Sequence, residues 1–130
     1  MLNSKLGKFF LSFLLVFILF NLKAQYKEIP DCITAVEQFH EVYNKDHVDL
    51  VLKFDEVQNI DKLEKSPYFQ SIVFALFQDL FLEKIAIGKT SDVGILLEET
   101  YEDLALLSEK PKFLKQREIA YQEFVRLLKR

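Results

Sequence analysis

The stretch 68–87 constrains this chain more than any other. Ser66-Pro67 opens it with a cap ahead of proline, and Gly88 closes it with a helix stop. Between these marks Phe69, Ile72, Val73, Leu76 and Leu80 recur at helical spacing. Phe74, Phe77, Phe81 and Ile85 form a second apolar stripe, leaving a narrow polar sector of Ser71, Gln78, Asp79 and Glu83. A helix that is apolar around most of its circumference must be covered on several sides. Gln78, Asp79, Glu83 and Lys84 make it too polar for a bilayer. Residues 67–87 are therefore expected to form the central helix of an all-α bundle.

The flanking segments supply the covers. Segment 31–43 begins after Pro30 with Asp31 as cap, and Ile33, Val36, Phe39 (or His40) and Tyr43 follow at helical spacing. Ser91 or Asp92 caps a helix running to about Glu109, with Val93, Leu96, Leu97, Tyr101, Leu104 and Leu107 inward. Glu98, Glu99, Glu102 and Asp103 face outward from it, and Pro111 ends it. Segment 112–130 carries Leu114, Tyr121, Phe124, Val125 and Leu128 on one stripe. Lys110, Lys112, Lys115, Arg117, Arg126, Lys129 and Arg130 make it basic.

An acidic helix joined by a short turn to a basic one predicts an antiparallel pair. Exposed ion pairs contribute about 0–1 kcal/mol each, so they would guide that pairing rather than hold it. Segment 46–57 is ambiguous. Val48, Leu50, Leu52 and Phe54 alternate with Asp49, Val51, Lys53 and Asp55 as in a strand. No second strand-like run exists to pair with it, so a short helix capped by Asp46 is expected. As a strand it would be an open edge for a partner. The expected architecture is four or five helices around 67–87.

Residues 1–24 read as an address. Lys5 and Lys8 form a positive start, 9–22 is uncharged and interrupted only by Ser12 and Asn21, and Ala24 supplies a small residue before Gln25. Fourteen residues span about 21 Å as a helix, short of the roughly 30 Å hydrocarbon core. A cleaved secretory signal at 1–24 and a single domain at 25–130 are expected. The Phe-rich core and Ala-Gln junction resemble secretory signals of Gram-negative bacteria of the Bacteroidota group. That resemblance implies a protein exported to the periplasm or beyond the cell, with no stable membrane insertion after cleavage. Cys32 is too far from Ala24 for a lipoprotein anchor.

Loss of Lys5, Lys8 and Lys23 with the signal leaves 14 basic residues against 20 acidic ones, a net charge of −6. That charge favours solubility and argues against nucleic acid as a partner. A single cysteine in an exported chain cannot close an internal disulfide. Cys32 is expected to be buried or incidental, with a Cys32-linked dimer as the alternative.

Few residues could carry chemistry. Glu37-Gln38-Phe39-His40 has the Glu-x-x-His spacing of di-iron bundles, but His47 has Asn44 where a second motif needs an acid. No nucleophile elbow, cysteine signature or haem attachment is present, and Gly7, Gly88 and Gly94 are too isolated to cradle phosphate. No cofactor is expected, and no enzyme. The expected role is a protein-binding module of the immunity, adaptor or chaperone kind, with Glu98, Glu99, Glu102 and Asp103 as the candidate partner-binding face. A carrier of a small apolar ligand, held near Phe74, Phe77 and Phe81, is the alternative, ahead of a metal-dependent enzyme using His40.

Overall fold

A computed structural model describes residues 25–43 and 52–130. Five α-helices follow in order: α1 (Ile29–Tyr43), α2 (Ile60–Leu63), α3 (Phe69–Ile87), α4 (Val93–Leu104) and α5 (Pro111–Leu128). A 3-10 turn at Phe54–Glu56 precedes α2, and the described residues contain no strand. The helix α3 packs against α1, α4, α5 and the 3-10 turn, as the apolar circumference of 67–87 demands.

Both stripes of α3 end inside. Phe69, Ile72, Val73, Leu76 and Leu80 are buried, and so are Phe74, Phe77 and Phe81. Phe77 stacks on Phe124 of α5 with ring centroids 4.8 Å apart, and Phe74 stacks on Tyr43 of α1 at 4.8 Å. Each fully buried Phe contributes about 1.5–3 kcal/mol through removal of apolar surface from water. The polar sector is covered more than its sequence implies. Ser71 is buried, and its side chain hydrogen-bonds that of Tyr43. Asp79 Oδ2 accepts the Phe54 N–H at 2.9 Å, which fastens the 3-10 turn to α3.

The helix ends follow local chemistry. Gly88 takes a left-handed φ of 72° and returns its N–H to the Lys84 carbonyl at 3.2 Å. Pro67 lies in the turn before α3 rather than at its first position; there Ser66 Oγ accepts the Tyr68 N–H at 3.1 Å. Asp92 is the cap of α4, its carboxylate accepting the Ile95 N–H at 3.2 Å. The helix α4 stops at Leu104, five residues short of the expected Glu109. The N–H groups of Ala105, Leu106 and Leu107 turn back to carbonyls only three residues earlier, which tightens and ends the helix while Leu104 stays buried.

The two ends of the described domain meet. The helix α5 stops at Leu128, and Lys129 continues in extended backbone as an isolated antiparallel bridge to Tyr26. Lys27 N–H donates to the Leu128 carbonyl and Arg130 N–H to the Gln25 carbonyl, both at 2.9 Å. Lys27 Nζ reaches the Leu127 carbonyl at 3.2 Å, and Arg130 meets Glu28 at 3.1 Å.

Segment 46–57 lies largely outside the described residues, as does 1–24. Its described part, 52–57, is an extended approach at Lys53 followed by the single 3-10 turn. Helix α2 was not legible in the sequence, being one turn long; its Ile60 is buried in the common core.

Helices α4 and α5 do pack together, but not through opposite charges. Among the described residues no ion pair joins them. Glu99 and Asp103 instead meet Lys84 of α3, and Lys110 meets Asp61 and Glu64 beside α2. Arg126 pairs with Glu123 along α5 itself.

Phe124 touches Phe39, Phe74 and Phe77 and is 1% exposed. Phe124→Ala should lower stability by about 3–5 kcal/mol in urea unfolding, because the hole lies between three helices that cannot all collapse into it. Leu106→Ala, at a side chain 80% exposed, should change it by no more than about 0.5 kcal/mol.

Candidate functional site

The four acids of the expected partner face do not share one surface role. Glu99 and Asp103, one helical turn apart, turn toward α3. There Lys84 Nζ lies 2.7 Å from Asp103 and 3.8 Å from Glu99. The Lys84 side chain is only 17% exposed, so these two acids serve the α3–α4 junction. Glu98 and Glu102 are exposed and have no ion-pair partner among the described residues. The acidic face is thus split lengthwise along α4.

Beside Glu98 runs a seam that the sequence reading did not single out. Tyr101 of α4 and Tyr121 of α5 meet across it with ring centroids 4.8 Å apart. Tyr101 donates its hydroxyl proton to Glu118 at 3.0 Å. The Arg117 guanidinium lies over the Tyr101 ring, 3.9 Å from the centroid, and donates to the Tyr101 carbonyl at 3.0 Å. That carbonyl is near the end of α4, where intrahelical donors run out.

Tyr26 completes the seam from the N-terminal side. Its ring rests on α4 at Gly94, where a Cβ would come within 3.1 Å of Cε2. The glycine permits the close approach. Burial, followed by the charges of Glu98 and Asp92, raises the Tyr26 pKa. Burial raises that of Tyr121 as well, with further contributions from Tyr26, Glu98, Tyr101 and Glu118. Tyr101 is raised by burial and by its bond to Glu118, against an opposing effect from Arg117. Three of the five tyrosines of the chain therefore lie along one strip, Tyr101 and Tyr121 in contact and Tyr26 near enough to influence Tyr121. In the sequence Tyr101 and Tyr121 stood on core stripes, and nothing local linked Tyr26 to either.

Cys32 is fully buried near the start of α1, and its thiol donates to the Lys27 carbonyl at 3.3 Å. Burial pushes its pKa from 9.0 up to about 11, outweighing the lowering effect of nearby Lys27. A thiol held protonated is a poor nucleophile. His40 borders a shallow recess of about 150 Å³ with Leu52, Lys53 and Asp79, while Glu37 and Glu41 are exposed. His47 lies outside the described residues. Among those described, no group of three His, Cys, Asp or Glu is placed to hold a metal ion.

Four recesses lie away from the phenylalanines expected to line a carrier cavity. One of about 340 Å³ opens between Tyr26, Lys27, Glu28, Asp92 and Ile95. Others of about 390 and 520 Å³ lie by Asp31 and Arg130, and by Asp55 and Glu83. None of these, nor the recess at His40, borders Phe74, Phe77 or Phe81.

Lys84→Met should lower stability by about 1 kcal/mol by leaving two carboxylates side by side, a loss that shrinks in 1 M salt. The raised Cys32 pKa contributes stability that is present below pH 9 and lost as pH climbs toward about 11. Urea midpoints should therefore fall between pH 9 and 10, and Cys32→Ala should flatten that fall. The chain shows no match to known family models, to curated proteins or to solved structures.

Proposed function

We propose that this chain is an exported protein-binding module, of the immunity, adaptor or chaperone kind, acting in the periplasm or outside the cell. The charged start, apolar stretch and Ala24-Gln25 junction of residues 1–24 support export. No helix among the described residues is long and apolar enough to cross a membrane, which is compatible with that reading.

The observation that carries the binding role is the seam between α4 and α5. Apart from Ile87 at its end, the large apolar side chains of α3 are spent on packing, and the exposed hydrophobics Val42, Ile87 and Leu106 belong to different parts of the chain. Against that background Tyr26, Tyr101 and Tyr121 gather with Arg117 and unpaired acids. Tyr and Arg are the side chains over-represented where protein interfaces gain most of their affinity. A ligand carrier is less well supported, because none of the four recesses described above borders Phe74, Phe77 or Phe81.

The test is native mass spectrometry of the protein exported by its own host. Loss of residues 1–24 and a second protein in the complex are expected. Glu98→Lys with Glu102→Lys should weaken that complex at least about tenfold while circular dichroism stays unchanged. A bare monomer, or a chain retaining residues 1–24, would count against the proposal.

A further inference from the structure

We infer that the α4–α5 seam is a docking surface for an arginine- or lysine-bearing segment of a partner protein. The inference rests on the binding-module reading and names the chemistry of the partner. Three observations support it independently of one another.

The first is charge left over. Glu99 and Asp103 have Lys84, and Glu123 has Arg126, but Glu98 and Glu102 have no cation among the described residues. Glu118 is engaged by the Tyr101 hydroxyl, a neutral donor that leaves its charge uncompensated. Arg117 is committed to the ring and carbonyl of Tyr101, and Lys27, at the Tyr26 end, to the Leu127 carbonyl. A basic segment would complete this side of the molecule.

The second is aromatic geometry. The seam already holds one guanidinium, since Arg117 lies 3.9 Å from the Tyr101 ring centroid. Cations are attracted to aromatic faces within about 6 Å, more strongly as water is excluded. Tyr26 and Tyr121 are partly exposed beside that contact, with Glu98 close enough to both to raise their pKa values. An incoming Arg or Lys would meet a ring and a carboxylate at once.

The third is shape. Tyr26, Glu28, Asp92 and Ile95 border the recess of about 340 Å³ at one end of the seam; Lys27 lines it too, but its Nζ is engaged by the Leu127 carbonyl at 3.2 Å, and the acids Glu28 and Asp92 outnumber it. The Ile95 side of the rim is 45% exposed and gives the aliphatic part of a lysine or arginine apolar surface to cover.

The probe is an octa-arginine peptide, with octa-glutamate as control. The chain has no tryptophan, so its five tyrosines report binding directly through their emission. At low salt octa-arginine should give a saturable change and octa-glutamate none. Glu98→Gln with Glu118→Gln keeps the acceptor for Tyr101 and should weaken binding at least about tenfold. Glu37→Gln with Glu41→Gln removes the same charge from exposed positions on α1 and should stay within about twofold. Tyr121→Phe, which keeps the ring, should bind like the parent, and Tyr121→Leu should lose at least about threefold.

Equal loss in the two Gln pairs would overturn the seam, because attraction to net charge alone would explain binding; so would an unsaturable signal. A host partner still held by the Glu98→Gln, Glu118→Gln chain would also overturn the seam while sparing the module reading. Peptide binding at the seam with no partner on the exported protein would do the reverse.

Discussion

The burial of α3 is the constraint from which the remaining structure follows. A nineteen-residue helix that hides Phe69, Phe74, Phe77 and Phe81 on different sides cannot be stable alone or beside a single neighbour. It needs α4 and α5 on one side and α1 on another, and the aromatic contacts show where each cover is fastened. Phe124 brings α5 onto Phe77, and Tyr43 with Phe39 brings α1 onto Phe74. Even the polar sector is put to use, with Ser71 bonded to Tyr43 and Asp79 holding the backbone of Phe54. A buried polar group has to find such a partner or pay its desolvation cost.

Closing the bundle around α3 brings the chain's described ends together. The short pairing of 25–27 with 128–130 gives the last carbonyl groups of α5 donors from Lys27, which α5 could not supply itself. The same segment lays Tyr26 on Gly94 and puts the Lys27 carbonyl within reach of Cys32. Packing of the termini thus shapes both the seam and the thiol's surroundings, and neither depends on a local sequence motif.

The periodic part of this architecture was legible in the sequence. The α3 stripes, the Asp92 cap and the Gly88 stop are local signals that appear within a residue or two of their expected places, and Pro111, expected as the break after α4, is instead the first residue of α5. The misses have physical causes. A one-turn helix such as α2 has too few residues to show a period, and its Ile60 is ordered by tertiary burial. The α4 end was overestimated because Leu107 continues the apolar spacing, while the backbone has already tightened after Leu104. The α4–α5 ion pairs were expected from helix-averaged charge, but charge acts at the side chain's position. Glu99 and Asp103 point toward Lys84 of α3 instead of toward a cation of α5. The seam itself joins residues 26, 94–101 and 117–121, and only the folded backbone makes them neighbours.

The position of Cys32 ties its chemistry to the same closure. Its sulfur has no solvent-exposed surface, and its proton is engaged by the Lys27 carbonyl. A disulfide to a second chain would require the thiolate to reach solvent, and burial disfavours both the ionised form and the access. The Lys27 carbonyl that holds the thiol belongs to the segment whose N–H is bonded to Leu128, so the closure of the two ends also fixes the thiol's partner.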